Sequence, residues 1–119
     1  MKSFTVTVEQ QPGLTLITVA GELDLQTLPA VEDATVVVPL GGKVLHVELS
    51  GVPFMDSSGL NLLLRLRRRM RQEAGHLVVS GLQEQPAGLL RLTGTYELLT
   101  AADSVGVTSP VGRRSPSRV

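Results

Sequence analysis

One passage near the middle of the chain most constrains what it can fold into. Val44-Leu45-His46-Val47-Glu48-Leu49 is dense in apolar residues and predicts a strand, and from Ser57 to Ala74 the apolar positions recur with helical spacing. The density of the strand predicts burial on both faces, as in the interior of a sheet carrying parallel pairs. On the helix, at about 100° per residue, Leu60, Leu63, Leu64, Met70 and Ala74 fall on one side, with Leu66 at its edge. Asn61, Arg65, Arg68 and Arg69 lie opposite, Leu62 sits on the solvent-facing border, and Gly75 is the expected C′ residue. A buried strand that feeds an amphipathic helix through a short turn is the building unit of α/β folds.

The rest of the chain extends that pattern. Phe4, Val6 and Val8 alternate with polar residues, Pro12-Gly13 marks a turn, and Leu14 to Val19 resumes as a strand, which together predict an opening hairpin. From Gln26 to Leu40 a helix is expected, with Thr27 near the N-cap, Pro29 in the first turn, and Leu28, Val31, Ala34 and Val38 in rough helical spacing. The β-branched run Val36-Val37-Val38 followed by Pro39 predicts that this helix is short or frays. His76 to Ser80 reads as a strand. Pro86 to Leu92 reads as a helix with Leu89, Leu90 and Leu92 available for burial and Gly94 ending it, and Tyr96 to Leu99 as a last strand. The sum is a single α/β domain, a mixed sheet of about five strands with helices packed on one face. The segment after about residue 107 is rich in Ser, Pro and Arg, so the expected organisation is a domain over 1–107 and a flexible basic tail over 108–119.

Composition removes several functions. The 119 residues suit one domain, and the absence of cysteine excludes disulfides, thiolate catalysis and Cys-ligated zinc. Eleven basic residues balance eleven acidic ones, so net charge makes no case for direct nucleic-acid binding. With 3% aromatics, rigid aromatic anchors cannot dominate a binding surface. The start is too soon polar for a signal peptide, and no apolar run approaches the roughly 18–20 residues of a membrane span. A soluble cytoplasmic domain without membrane contact is expected.

Asp56-Ser57-Ser58-Gly59, which joins the strand to the helix, has two explanations. Asp and Ser are preferred N-caps, because their side-chain oxygens accept the helix's orphan N–H groups, and Gly59 permits close packing. Alternatively, a phosphate on Ser57 would sit at the positive end of the helix dipole and add about −1.5 to −2 charges beside Asp56. Phe54-Met55 upstream would anchor the turn on the core. A hydrolase is poorly supported: Met55 or Asp56 stands where the nucleophile elbow needs its first glycine, and His46, within the apolar strand, suits a hydrogen-bonded structural role. His76 beside Gly75 is expected at the surface. Gly41-Gly42-Lys43 lacks the spacing of a phosphate loop. Glu22 and Asp24, in Gly21-Glu22-Leu23-Asp24 after the second strand, are too few for a metal site. The run Arg65-Leu66-Arg67-Arg68-Arg69-Met70-Arg71 defaults to a solvated helix face, with contact to an acidic protein surface as the functional alternative. Arg67 projects near the centre of the apolar face, so it is expected to snorkel or to pair with an acid.

Gly21-Glu22-Leu23-Asp24, Val47-Glu48-Leu49-Ser50-Gly51-Val52 running into Phe54-Met55-Asp56-Ser57-Ser58-Gly59-Leu60, and Leu89-Leu90-Arg91-Leu92-Thr93-Gly94, in this order, resemble the STAS domain, specifically the bacterial anti-sigma factor antagonist family. The resemblance implies a non-enzymatic partner-switching module without a cofactor of its own. The unmodified form would capture an anti-sigma factor that is also a serine kinase, and so free a sigma factor. The kinase would phosphorylate Ser57 and a PP2C-type phosphatase would reverse it. Asp24 and Asp56 would flank the acceptor, Ser58 and Gly59 would form its turn, and the start of the helix, with Leu60 and Leu62, would help form the docking surface. The alternative within the same resemblance is an accessory subunit of a transporter or larger signalling complex in which Ser57 is never phosphorylated. Departures from the family pattern fall at Val36 to Pro39, at Asn61, where a second glycine is common, and at Thr100 to Gly106.

Overall fold

The computed structural model describes residues 3–36 and 41–100. Its elements follow in the order β1 (Thr5–Gln11), β2 (Leu14–Ala20), α1 (Leu28–Val36), β3 (Val44–Gly51), α2 (Ser57–Gln72), β4 (His76–Ser80), α3 (Glu84–Leu92) and α4 (Tyr96–Thr100). The sheet runs β1-β2-β3-β4: β1 and β2 form an antiparallel hairpin, and β2–β3 and β3–β4 pair in parallel across α1 and α2. The hairpin turns at Pro12-Gly13, where Gly13 has φ +77°, a conformation that a Cβ would strain.

Burial alternates along the parallel strands. Ile17 and Val19 of β2, Leu45, Val47 and Leu49 of β3, and Leu77 and Val79 of β4 are buried beneath the helices, and the residues between them are only half-buried. The helices therefore cover one face, as expected. Burial of β3 on both faces does not hold, because His46 and Glu48 occupy the open side. Apolar density alone missed this: the two polar residues fall on alternate positions and mark a one-sided strand.

Three further expectations are corrected. Tyr96 to Leu99 is the helix α4, not a strand, so the described sheet has four strands. Gly94, with φ +75°, closes α3, and Thr95 N–H donates to Leu90 O at 2.8 Å. That reversal carries the chain over the helical layer, where α4 packs on β4, α2 and α3 with Leu99 buried. Leu92 is 86% exposed, so α3 buries Leu90 and, in part, Leu89. In α1 the buried positions are Leu28, Val31 and Thr35, with Ala34 half-buried, while Val38 and Pro39 lie outside the described residues. The 108–119 tail and the Thr100 to Gly106 departure also lie wholly or almost wholly outside them.

Helix α2 buries Gly59, Leu60, Leu62, Leu63, Leu66 and Met70, a wider arc than one apolar face requires. Two neighbours set that width. One side of the arc meets the sheet, and the other faces α1, where Leu62 and Leu66 share a groove with Thr35 and Val36. Leu62 is thus buried rather than on a solvent-facing border, while Leu64 is half-buried and Ala74 exposed. The helix ends one residue earlier than expected: Ala74, not Gly75, takes the left-handed C′ position at φ +61°, and Gly75 N–H donates to Met70 O at 2.7 Å.

Candidate functional site at the start of helix α2

Strands β2 and β3 are adjacent and parallel, so the segments leaving their carboxyl ends are side by side, the usual place for a site in an open α/β sheet. The register shifts there: Thr18 pairs with Glu48 but Ala20 with Gly51, so β3 uses one residue more than β2 and bends. The two segments then stay together. Gly21 N–H donates to Gly51 O at 2.9 Å, Leu23 N–H to Phe54 O at 3.0 Å, and Asp56 N–H to Leu23 O at 3.2 Å, which makes Leu23 and Met55 a parallel bridge. Both side chains are fully buried and hold the turn on the core. Phe54, expected to anchor with Met55, is instead 41% exposed.

Asp56 is the N-cap of α2, with Oδ1 accepting from Ser58 N–H at 2.9 Å and from Gly59 N–H at 3.3 Å. Ser57 is the first helical residue and exposed, and among the described residues its hydroxyl has no hydrogen-bond partner. Ser58 is half-buried. Gly59 is buried where a Cβ would come within 2.6 Å of Met55 Cγ and 3.0 Å of Leu23 Cγ, so close packing against the bridge requires glycine. Capping and exposure therefore fall to different residues: the aspartate caps, and the first serine is left over.

Asp24 follows the bridged Leu23 as Asp56 follows Met55, which puts the two acidic residues on neighbouring segments just beyond the bridge. Its own work is local. Oδ1 accepts from Gln26 N–H at 3.0 Å and Thr27 N–H at 3.1 Å, building the turn into α1. Thr27 Oγ1 donates to Glu22 O at 2.7 Å. The Gly21–Asp24 motif is thus first a structural clasp: Gly21 at φ +108° against Ser3 and Phe4, Leu23 in the core, and Asp24 in the turn. Leu25, beyond it, is 69% exposed. Leu60 and Leu62, assigned to the docking surface from sequence, are buried, and the exposed apolar side chains around the turn are Leu25 and Phe54.

Gln85 of α3 was not singled out from sequence. Its Oε1 accepts from Met55 N–H at 2.8 Å and its Nε2 donates to Met55 O at 3.0 Å. The helix expected from sequence begins at Pro86, whereas α3 begins at Glu84, so Gln85 lies just outside the expected element and carries no signal of such a role.

On the open sheet face His46 Nε2 meets Ser80 Oγ at 2.5 Å, and Ser80 Oγ donates to Glu48 Oε1 at 2.6 Å. His46 is hydrogen-bonded, as expected, and His76 at the start of β4 is half-buried. The three side chains are in the wrong order for acyl transfer, because the carboxylate accepts the serine proton instead of orienting the imidazole. Hydrogen bonds from Ser80 and Ser50 hold the Glu48 carboxyl below its ordinary range. Among the described residues no cluster of His, Asp and Glu could hold a metal ion, and no helix is long and apolar enough to cross a membrane.

A family model of the STAS domain matches residues 5–107. The chain belongs to the STAS domain family. This STAS chain is 36% identical over 84 residues to an anti-sigma-B factor antagonist of Listeria monocytogenes, covering 70% of this chain and 74% of that protein. The anti-sigma-B factor antagonist of Staphylococcus epidermidis is 35% identical over 86 residues, with 70% and 78% covered. Among solved structures, an anti-sigma factor antagonist from Mycobacterium paratuberculosis superposes with a TM-score of 0.68 at 31% identity, over 82% of this chain and 83% of that one. The anti-sigma factor antagonist SpoIIAA in its unphosphorylated form superposes with a TM-score of 0.69 over 88% and 100%, and at 20% identity it speaks to fold alone.

Proposed function

We propose that this STAS domain is a cytoplasmic anti-sigma factor antagonist that works by partner switching, with Ser57 as the phosphoacceptor. The observation that carries the proposal is the exposed Ser57 hydroxyl, without a hydrogen-bond partner among the described residues, at the first position of a helix already capped by Asp56. A cap serine would have its oxygen engaged with the helix N–H groups. This one is open to an approaching kinase, on a turn fixed from below by Met55, Leu23 and Gly59.

In the proposed cycle the unmodified turn, with exposed Leu25 and Phe54 beside it, docks an anti-sigma factor that is also a serine kinase. Ser57 Oγ attacks the γ-phosphorus of ATP held by that partner, its proton passes to a base on the kinase, and ADP leaves. The phosphoserine then lies beside Asp56 and Asp24, a local charge of about −3.5 to −4. The helix N-terminus tolerates that charge, so the fold persists, while an interface formed against the neutral turn is lost. A PP2C-type phosphatase returns the serine by hydrolysis, releasing inorganic phosphate.

The test is to incubate the chain with the anti-sigma factor encoded in its own genome and ATP, map the modified residue by mass spectrometry, and measure complex formation. Phosphate on Ser57, retained binding by Ser57→Ala and lost binding by Ser57→Asp are expected. Equal binding by wild type, Ser57→Ala and Ser57→Asp overturns the switch. A transporter or signalling assembly recovered with unmodified Ser57 favours the accessory-subunit alternative.

A further inference from the structure

The five arginines between positions 65 and 71 divide into two sets. Arg65 is paired with Glu32 at 2.8 Å, and Arg69 with Glu73 at 3.0 Å while also donating to Thr35 O at 2.9 Å. Arg67, Arg68 and Arg71 have no carboxylate or other hydrogen-bond partner among the described residues. With Leu64 they occupy positions i, i+3, i+4 and i+7 of α2, which form one continuous stripe on a helix.

The surroundings of that stripe differ from a plain solvated face. Arg67 is half-buried and borders two shallow concavities. One, of about 370 Å³, is lined by Arg67, Arg71, Ala74, Gly75, His76 and Leu77. The other, of about 470 Å³, lies between Leu64, Arg67, Arg68, Arg71 and Gln72. The half-buried apolar Leu64 thus sits directly beside three guanidinium groups that have no carboxylate partner among the described residues. The helix dipole compensates cations only within its last turn, which leaves out Arg67 and Arg68. The chain as a whole is neutral, so the stripe is segregated charge and not a share of a general excess.

We infer that the Leu64–Arg67–Arg68–Arg71 stripe is a docking site for an acidic segment of a partner protein that also carries apolar side chains. Carboxylates match the free guanidinium forks, and an apolar side chain of the partner covers Leu64 and the arginine stems. Duplex nucleic acid is a poorer occupant, since it offers charge without an apolar complement for Leu64 and the surface lacks aromatic side chains for stacking. From Ser57 to Arg71 the helix rises about 21 Å, so the stripe is a second surface, separate from the turn and independent of whether Ser57 is phosphorylated.

The probe is a fluorescein-labelled synthetic peptide of repeated Glu-Glu-Leu-Leu, followed by anisotropy with the full chain at low and high salt. Saturable, salt-weakened binding is expected, falling at least about tenfold in the Arg67→Glu/Arg71→Glu double variant and in the neutral Arg67→Gln/Arg71→Gln variant. Circular dichroism of each variant checks that it is folded, and Arg68→Glu, on an exposed residue, supplies a third measurement and should also weaken binding. A peptide with every Leu replaced by Ser should bind more weakly. Unchanged affinity in the folded variants overturns the proposal, as does equal binding of the Glu-Ser peptide. Displacement by a short duplex DNA at lower concentration than by unlabelled peptide overturns it in favour of nucleic acid.

Discussion

The Gln85 side-chain amide pairs with the Met55 peptide as a neighbouring strand would, accepting from its N–H at 2.8 Å and donating to its carbonyl at 3.0 Å. Met55 is thereby held from two sides, by the Leu23 segment and by a side chain of α3. Because Met55 stands two residues before Ser57, α3 helps fix the turn that presents the serine.

Gln85→Ala should therefore loosen this turn. Removing both hydrogen bonds from a partly buried peptide is expected to cost about 1–3 kcal/mol, seen as a lower urea midpoint with an unchanged slope. Amide hydrogen exchange should rise at Met55 before it rises in β3. Gln85→Glu keeps the acceptor for Met55 N–H but sets a carboxylate oxygen against the Met55 carbonyl, so at neutral pH it should be no more stable than Gln85→Ala. Wild-type exchange at Met55 in Gln85→Ala would show that the pairing is not a constraint.

Gly59 makes a sharper prediction about the same turn. Gly59→Ala must push a methyl group into fully buried Met55 and Leu23, and an overpacked core of this kind typically loses about 1–3 kcal/mol. Gly88, within α3, is the matched comparison. A Cβ there meets nothing within 4 Å, so Gly88→Ala should stabilise by about 0.5–1 kcal/mol. Thermal or urea denaturation of the two variants should give opposite signs.

The contrast between these residues indicates which parts of the fold the chain discloses locally. Alternation at Phe4 to Val8 and Leu14 to Val19, the Pro12-Gly13 turn and the helical spacing after Ser57 report short-range geometry, and the hairpin and α2 follow from them. Tyr96 to Leu99 had no such signal: a short segment holding two adjacent leucines suits either state, and the reversal at Gly94 together with packing on β4 decided for helix. At the site, Asp56 as cap and Gly59 as close packer were legible because capping and packing are local. The burial of Leu62 depends on where α1 lies, and the Gln85–Met55 pairing joins residues 30 apart, so neither could be read from nearby residues.

Glu48 contributes a pH dependence. Its carboxyl titrates below the ordinary value of 4.5, first through the Ser80 hydrogen bond and then through that of Ser50. A lowered folded-state value means that the ionised carboxylate stabilises the fold above the unfolded value, and that this contribution is lost as pH falls from about 4.5 through the lower folded value. Ser80→Ala removes the largest cause. The variant should lose stability at pH 7 and, over that acid window, lose less on further acidification than wild type does. Urea midpoints measured from pH 7 to pH 3 check this, and parallel curves for the two proteins would remove Ser80 as the cause.

Ala74 offers a prediction in the stabilising direction. It holds φ +61° at the C′ position of α2, where an L side chain crowds its own carbonyl, at a cost of about 1–2 kcal/mol. Glycine there relieves the strain but gains freedom in the unfolded chain worth about 0.4–1 kcal/mol, so Ala74→Gly should stabilise by a net of about 0.5–1 kcal/mol. The gain depends on the closing hydrogen bond from Gly75 N–H to Met70 O, which glycine at position 74 leaves in place. A raised urea midpoint, with slower exchange of the Gly75 amide, is the expected result. A lowered midpoint would mean that freedom gained by the unfolded chain outweighs the strain relieved. Ala74 also lines the concavity beside Arg67 and Arg71, yet the substitution changes no charge, so binding of the acidic peptide should be unaltered while stability rises.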